Sequence, residues 1–367
     1  MDIAPLRIGC CVSGHGFGHA TRTTAILQAL ERRLDAALTL VTTAPSWLFT
    51  ESLAMPIEFH AQAVDVGLIQ QSALAEDVAA TVQALDDFRR RADAQTARLA
   101  DLLAGCRLVL CDIAPLGIAA ARRLGVPAVL VENFTWDWIY QGYAERWPQL
   151  YAHIEDFAAL FGQADYRIQT RPVCVPAADA LTVDPVARPL RQPERLRQRL
   201  FLERGQHLVL LTMGGCDGGA MPLELLLQRP DLVFVLPGRS RENEFTANLR
   251  FVGRDSGWYH PDLVAAADLV VGKLGYSTVA EAYQAGTPFA YVPRPDFRES
   301  ATLAAFVARH LPSWRIEPDA WRTGGWLAAL PPFPIGRRSA APICNGADKA
   351  ASWLASLMTG EAVHARS

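Results

Sequence analysis

The chain has 367 residues, of which half are hydrophobic and a fifth are charged, a composition typical of a soluble globular protein. Its formal net charge of -3 lacks the basic excess of a nucleic-acid-binding protein, and no apolar run approaches the roughly 18 residues of a membrane span. Seven cysteines without a C-x-x-C pair indicate reduced thiols rather than a disulfide framework. The N-terminus lacks the charged and apolar regions of a signal peptide, so we expect a cytoplasmic protein.

Strand-length apolar runs alternate with segments of helical period through the first half of the chain. The predicted strands are "LRIGCCV", "ALTLVTT", "RLVLCD" and "PAVLVEN". Helices are predicted over "ATRTTAILQALERRL", residues 73–103 and "LGIAAARRLG". Near-continuous apolar strands in this order predict an α/β fold with a parallel sheet covered on both faces, and Cys10 and Cys11 should face opposite sides of it.

A proline-rich segment divides the chain into two α/β halves. Between residues 171 and 193 we expect an exposed linker, because periodicity is interrupted by Pro172, Pro176, Pro185, Pro189 and Pro193. The alternation then restarts with the predicted strands "HLVLLTMGG", "LVFVLPG", "LRFVG", "DLVVGK" and "FAYVP", and it ends with the helix "NGADKAASWLASL". We therefore expect one domain at residues 1–180, a second at 181–345 and a terminal helix at 346–358.

The stretch "VSGHGFGHATR" places three glycines and two histidines in the turn after the first strand. A strand that ends in glycines and leads into a helix brings backbone N–H groups close to a ligand, although this spacing differs from the dinucleotide fingerprint. His15 and His19 are candidates for a general base, and the alternative is that both merely cap the turn. Asp112 ends a strand at the same predicted sheet edge, where it either orients a histidine or caps the following helix.

Two further glycine turns are predicted in the second half. In "LTMGGCDGGA" a buried strand leads into four glycines suited to a phosphate, Gly214, Gly215, Gly218 and Gly219. In "GKLGYSTVAEAYQAGTPFAYVP", Ser277 and Thr278 follow Gly275 at the start of a helix, which also suits a phosphate. Glu281 comes one turn later, where its carboxylate either holds two sugar hydroxyls or remains solvated on a surface helix.

Together these motifs resemble those of GT-B glycosyltransferases, which have two Rossmann-like domains facing each other across a cleft. The overall pattern is similar to the N-acetylglucosaminyltransferase of peptidoglycan synthesis. It is more similar to the glycosyltransferase-like amino-terminal domain of L-arabinokinase-type proteins, through "SGHGFGHATR", "DVGLIQQSALAEDV", "ENFTWDWIY", "GKLGYSTVAEA", "VPRPDFRES" and "NGADKAA". That likeness covers nearly the whole chain but no kinase domain, so it implies no sugar-kinase activity.

The resemblance implies that the second domain binds a nucleotide-sugar donor, with uridine as the base by analogy. Residues 214–219 would face the diphosphate, Ser277 and Thr278 the α-phosphate, and Glu281 the ribose hydroxyls. The backbone near Val252 would contact the base. The donor sugar would meet two residues of "PRPDFRES", Arg298 and Glu299.

The resemblance also implies an inverting transfer to an acceptor hydroxyl. His19 would deprotonate the acceptor and Asp112 would orient His19, with Gly16 and Gly18 on the acceptor side. Neither a metal nor another cofactor is implied, because no D-x-D motif or ligand cluster stands out. The last helix, from Gly346 onward, would cross back onto the first domain.

An aromatic cluster follows the strand "PAVLVEN". It consists of Phe134, Trp136, Trp138, Tyr140 and Tyr143. Three interpretations remain open for it: core residues of a helix, an acceptor platform to which Trp136 and Trp138 contribute, or a patch that contacts a membrane surface.

Two other functions stay open at this point. A nucleotide-sugar epimerase would use the same two domains but needs further carboxylates in the cleft, for which Asp65, Glu132 and Asp137 are the candidates. A regulatory module would bind a nucleotide sugar without turning it over.

Overall fold

Two seven-stranded sheets form the framework of the protein in a computed structural model, which describes residues 6–214, 222–238, 241–253, 256–330, 332–333 and 345–360. The first sheet has the strand order β3-β2-β1-β4-β5-β6-β7, and all of its neighbouring strands are parallel. Its strands are β1 (Leu6–Val12), β2 (Ala36–Val41), β3 (Ile57–His60), β4 (Leu108–Asp112), β5 (Ala128–Glu132), β6 (Tyr166–Thr170) and β7 (Leu181–Val183). The predicted parallel sheet is therefore confirmed.

Six helices connect these strands. They are α1 (Phe17–Leu30), α2 (Trp47–Thr50), α3 (Val78–Leu102), α4 (Pro115–Leu124), α5 (Trp136–Gln141) and α6 (Leu150–Phe161). Helix α3 begins at Val78 rather than near residue 73, because the side chain of Asp77 caps it by accepting a hydrogen bond from the Ala80 N–H at 2.9 Å. The residues before Asp77 instead form a loop that reaches the second domain.

The second sheet has the strand order β10-β11-β9-β8-β12-β13-β14 and is parallel except at the β10–β11 pair. Its strands are β8 (His207–Thr212), β9 (Leu232–Pro237), β10 (Glu244–Thr246), β11 (Leu249–Val252), β12 (Leu269–Lys273), β13 (Phe289–Val292) and β14 (Ser313–Arg315). The helices that follow the first domain are α7 (Leu196–Arg199), α8 (Leu223–Leu227), α9 (His260–Ala266), α10 (Tyr276–Ala285), α11 (Glu299–His310), α12 (Pro318–Thr323) and α13 (Gly346–Thr359), with short 3-10 helices at Pro193–Arg195 and Gly325–Ala329. Both sheets are thus covered by helices, as an α/β fold requires.

Each sheet has a hydrophobic core on both faces. Cys10 packs in the cluster on the α1 side of the first sheet and Cys11 in the cluster on the opposite side, as predicted from their positions in the strand. Helix α13 returns from the second domain to the first and packs its Ala350 and Leu354 into the α1 cluster. The last described helix therefore packs against the first domain.

The segment between residues 171 and 193 is not exposed along its length. It contains β7, which extends the first sheet past residue 180, and Val186 is buried in the same core. Arg188 is buried as well, against the second domain. The two domains are therefore joined by a packed segment.

Candidate active site

Two adjoining cavities lie between the domains. The larger has a volume of about 470 Å³, and the predicted donor residues that line it are Gly214, Val252, Ser277, Thr278 and Glu281. The smaller has a volume of about 70 Å³, and the predicted residues that line it include Gly16, Gly18, His19, Gly275 and Glu299. Gly214, Ser277 and Thr278 line both cavities. The structure thus brings the two predicted sites together.

The N-termini of α1 and α10 face each other across this space. Gly16 caps α1 with a φ of 71°, a left-handed conformation that favours glycine. A Cβ on Gly18 would lie 3.8 Å from the Ser277 hydroxyl of the other domain, so the two first turns approach closely. Because a helix N-terminus carries partial positive charge, the gap between them suits an anion.

His19 and Asp112 form a buried pair behind the smaller cavity. His19 Nδ1 lies 2.9 Å from Asp112 Oδ1, and Asp112 is fully buried at the end of β4. An ionised carboxylate only accepts hydrogen bonds, so Nδ1 donates to Asp112, and in the neutral imidazole Nε2 is then the acceptor. This is the arrangement that a histidine base requires.

Arg22, which sequence reasoning missed, completes this pair. Its guanidinium donates to both carboxylate oxygens of Asp112, from Nε to Oδ2 at 2.9 Å and from Nη2 to Oδ1 at 2.5 Å. Nη1 donates to Asn133 at 2.7 Å and to the Thr170 hydroxyl at 3.2 Å. Arg22 follows His19 by three residues on α1, a spacing that puts both side chains on one helix face.

The charge of Asp112 is held by its neighbours. Burial alone would raise the pKa of this carboxyl, but the Arg22 guanidinium and the hydrogen bond with His19 outweigh it and lower the pKa below its usual value. The Thr23 hydroxyl also donates to Oδ2 at 2.8 Å. Asp112 is therefore an ionised, fully bonded group that fixes the ring of His19.

His15 is placed differently from His19. Its Nδ1 accepts a hydrogen bond from the Leu68 N–H at 3.4 Å, and its ring meets Trp136 edge-on at 5.0 Å. Burial and the positive charge of Arg294 lower its pKa well below the usual value. His15 also lines the smaller cavity, but its described partners include no carboxylate that could orient its ring as Asp112 orients His19.

Glu281 lies in the larger cavity in a bonded, buried state rather than on a solvated surface. His260 Nδ1 lies 2.6 Å from Glu281 Oε2, and the Thr212 hydroxyl lies 3.3 Å from the other ring nitrogen of His260. Burial would raise the pKa of Glu281, but His260 and Arg188 lower it below its usual value. The carboxylate is therefore ionised and can accept hydrogen bonds from a ligand.

Gly214 and Lys273 lie close together, and Gly214 lines both cavities. Gly214 has a φ of 68°, and a Cβ there would come within 3.3 Å of Lys273 Cε. Lys273, which sequence reasoning also missed, lines the smaller cavity at the end of β12. The other three predicted glycines of this turn, Gly215, Gly218 and Gly219, lie outside the described residues.

Arg298 and Glu299 are separated by the structure. Arg298 stacks on the Trp138 ring at 4.2 Å, donates to the Trp138 carbonyl and lines neither cavity in the described part of the chain. Glu299 lines the smaller cavity and accepts a hydrogen bond from Asn133 of the first domain at 2.6 Å. Of these two residues, only Glu299 therefore lines the smaller cavity in the described part of the chain.

The aromatic cluster belongs mainly to the core. Trp136 is fully buried, donates from Nε1 to Asp65 at 2.7 Å and packs near both histidine rings. Trp138 is half-buried, and Arg298 covers its ring. Neither Trp136 nor Trp138 lines either cavity in the described part of the chain, so their contribution to an acceptor platform stays a prediction.

Two of the three carboxylates that an epimerase might use are bonded to neighbouring side chains. Asp65 is bonded to Trp136, and Glu132 pairs with Arg167 at 2.9 Å. Within the described residues, neither these two nor Asp137 lines a cavity. The described part of the chain also holds no group of three or more side chains that could bind a metal, and no helix long and apolar enough to span a membrane.

Comparison with known proteins places this site in a broader context. No protein-family model matches the chain. It is 31% identical over 309 residues to an L-arabinokinase of Arabidopsis thaliana, in an alignment that covers 80% of the chain and 28% of the relative. The chain thus spans little more than a quarter of that relative's length.

Solved structures share the whole architecture. A UDP-glucosyltransferase from Polygonum tinctorium that glucosylates indoxyl superposes with a TM-score of 0.60 at 13% identity, covering 98% of this chain and 100% of that one. A protein of Listeria monocytogenes assigned as a UDP-N-acetylglucosamine 2-epimerase superposes with a TM-score of 0.57 at 12% identity, covering 98% and 97%. The chain therefore has the GT-B fold of glycosyltransferases, and its sequence is similar to part of an L-arabinokinase.

Proposed function

We propose that the protein is an inverting glycosyltransferase that moves a sugar from a nucleotide sugar, with UDP as the nucleotide, to an acceptor hydroxyl. The observation that carries the proposal is the position of His19: it is oriented by Asp112 at 2.9 Å and lines a cavity shared with Gly275, Ser277 and Lys273. A base and an anion site thus lie side by side, one from each domain.

The larger cavity suits the nucleotide. Val252, Gly253 and Trp258 line it, and they offer backbone and ring contacts to a base. Glu281 is positioned to accept from ribose hydroxyls, and the diphosphate would lie between the two helix N-termini beside Gly214 and Lys273. The sugar would then point into the smaller cavity, toward Glu299.

The transfer is a single displacement. The acceptor oxygen attacks the anomeric carbon, its proton passes to His19 Nε2, and the bond from that carbon to the phosphate oxygen breaks on the opposite side. The configuration at the carbon is therefore inverted. The helix N-termini and Lys273 stabilise the negative charge of the leaving diphosphate, so the proposal includes no metal.

The acceptor must reach His19 through a change in the domain arrangement. The cavity beside His19 measures about 70 Å³. Sites for small molecules usually start near 300 Å³. We therefore infer that the domains separate to admit the acceptor and close again for the transfer.

The proposal is tested by incubating the protein with labelled UDP-, GDP-, ADP- and CDP-sugars. Release of the nucleoside diphosphate, together with a product of inverted configuration, would support the transferase. A changed configuration of the sugar without release of the nucleoside diphosphate would favour an epimerase, the activity assigned to the Listeria protein with a similar fold. Binding without either reaction would favour a regulatory module.

A further inference from the structure

A loop of the first domain reaches into the second domain beside the candidate active site. The loop comprises residues 69–76, which we call the strap, and its two ends pair through an antiparallel bridge between Gln70 and Glu76. Ala73 lies near the tip of the strap and is 2% exposed. It packs in a hydrophobic cluster whose other buried members all come from residues 209–327. The tip of the strap is therefore docked in the core of the second domain.

Glu76 adds a charged contact between the strap and the second domain. Its side chain is buried, and its Oε1 atom lies 3.5 Å from Arg294 Nη1. This oxygen has no hydrogen-bond partner among the described residues. Burial raises the pKa of Glu76, while the charges of Arg294 and Lys273 oppose that rise. Attraction between charges, rather than a hydrogen bond, thus holds this oxygen of the strap.

The strap also forms part of the wall of the smaller cavity. Gln70 lines that cavity together with His19, and so do Arg294 and Lys273, the two cations near Glu76. Departure of the strap from the second domain would therefore remove part of the wall and open the cavity that contains His19.

The second domain makes a reciprocal contact with the first domain through Phe297. This residue is 1% exposed, in a hydrophobic cluster whose other buried members come from residues 11–161. The strap buries only the Ala73 methyl group and part of the Leu74 side chain. Because hydrophobic stabilisation grows with the apolar area that is buried, the phenyl ring makes the stronger contact. The strap can therefore leave the second domain while Phe297 still holds the two domains together.

We propose that the strap is a gate: when docked it closes the smaller cavity, and it opens that cavity by leaving the second domain before the domains separate. What passes the gate rests on the proposed function. In that reaction the open strap admits the acceptor to His19, and the docked strap keeps water away from the donor sugar. A small buried side chain at position 73 suits this role, because a large one would hold the strap closed.

The test measures how fast the Lys273 amine is acylated in the full chain without ligand. The reaction is followed by mass spectrometry, with the exposed Lys349 as the internal reference. Ala73→Asp would bury an unpaired charge in the apolar cluster, so the strap should undock and Lys273 should react at least about 10-fold faster. Ser72→Asp is the matched control: it adds the same charge at the neighbouring exposed position, and Lys273 should react at the wild-type rate.

Hydrogen exchange shows whether the strap has undocked. The N–H groups of Gln71 and Ser72 donate to the Ala75 carbonyl at 2.9 and 3.2 Å. An isolated pair of strands is marginally stable in water, so these amides should exchange faster in Ala73→Asp while those of both sheets stay protected. Glu76→Gln removes the charged contact and should accelerate the same amides, and it replaces Ala73→Asp if that variant is unfolded.

Two results would overturn the inference. One is faster exchange of the strap amides without faster acylation of Lys273, since the strap would then not close the cavity. The other is wild-type exchange of the strap amides in both variants, since these contacts would then not hold the strap. Release of nucleoside diphosphate from nucleotide sugars is measured separately. A strap that opens in a protein without such turnover would contradict the proposed function and leave the gate itself supported.

Discussion

Asn133 of the first domain donates a hydrogen bond to Glu299 of the second, with 2.6 Å between Nδ2 and Oε1. Asn133 also accepts from Arg22 at 2.7 Å, and Arg22 in turn holds Asp112, the partner of His19. A chain of buried hydrogen bonds therefore connects Glu299 of the second domain to His19 of the first. Under the proposed function, this chain links closure of the domains to the orientation of the base.

The first prediction concerns Asn133. Asn133→Ala removes one hydrogen bond from Arg22 and one from Glu299, so we expect a loss of about 1–3 kcal/mol in the free energy of unfolding. The turnover number should fall more than the affinity for a nucleoside diphosphate, because the bond orients the base rather than the donor. Gln141→Ala is a suitable control, since Gln141 bonds Arg298 across the same interface at 3.2 Å but outside this chain. Equal effects of the two substitutions on turnover would contradict the link.

The second prediction concerns the ion pair of Arg22 and Asp112. Removing one partner from a buried pair leaves an uncompensated charge, so Arg22→Met or Asp112→Asn alone should lower the free energy of unfolding by about 3–5 kcal/mol. The double variant should lose less than the sum of the two. Urea unfolding of all four proteins gives the coupling energy. Strictly additive losses would show that the two groups do not depend on each other.

The third prediction is the pH dependence of stability that Asp112 causes. Its pKa is lower in the folded protein than in the unfolded chain, so the unfolded state binds the proton more readily. The ionised carboxylate therefore contributes stability above its unfolded pKa of about 3.9, and this contribution is lost as pH falls toward the folded pKa. Between about pH 5 and pH 3, the free energy of unfolding should fall more steeply for the wild type than for Asp112→Asn. Parallel curves in urea titrations would contradict this.

The fourth prediction uses the scarcity of lysine. The chain contains two lysines, Lys273 in the smaller cavity and the exposed Lys349 on α13. Lys273→Met should weaken UDP binding by about 10-fold, the scale of one charged hydrogen bond, and should leave uridine binding unchanged because uridine lacks phosphates. Lys349→Met should change neither affinity.

The same residue allows a test on the unmodified sequence. UDP should protect Lys273 from acylation, as followed by mass spectrometry, while the reaction of Lys349 proceeds at the same rate. Equal acylation of Lys273 with and without UDP would remove it from the diphosphate site.

Much of the fold was predictable because buried parallel strands have a distinctive sequence. Runs such as "RLVLCD" and "DLVVGK" are apolar or small between their charged end residues, and they form the interior strands β4 and β12. The position of His19 near Asp112 also followed from pattern, because a residue at the end of one parallel strand and one at the start of a neighbouring helix meet at the same sheet edge.

The remaining features depend on contacts that no local pattern encodes. Arg22 looked like any polar residue of a helix, and its role arises only where β4, β5 and β6 bring Asp112, Asn133 and Thr170 together. The pattern around Trp136 fits a ligand platform as well as a core, and only the folded chain shows that its ring is buried. The spacing in "ENFTWDWIY" is compatible with both a platform and a core. For Arg22 there was a signal, because its one-turn interval from His19 puts both side chains on the same face of α1.

The most direct test of the account is the turnover of His19→Asn, compared with His15→Asn from the same glycine turn. A positioned general base contributes about 10²–10⁴-fold, so His19→Asn should lose that factor in the release of nucleoside diphosphate from the best nucleotide sugar. Its affinity for the nucleoside diphosphate should stay unchanged, because the second domain supplies most of that site, and His15→Asn should retain most of the turnover. Loss of turnover in His15→Asn with retention in His19→Asn would show that His15, and not His19, is the base. Retention of turnover in both variants would contradict the proposed transfer.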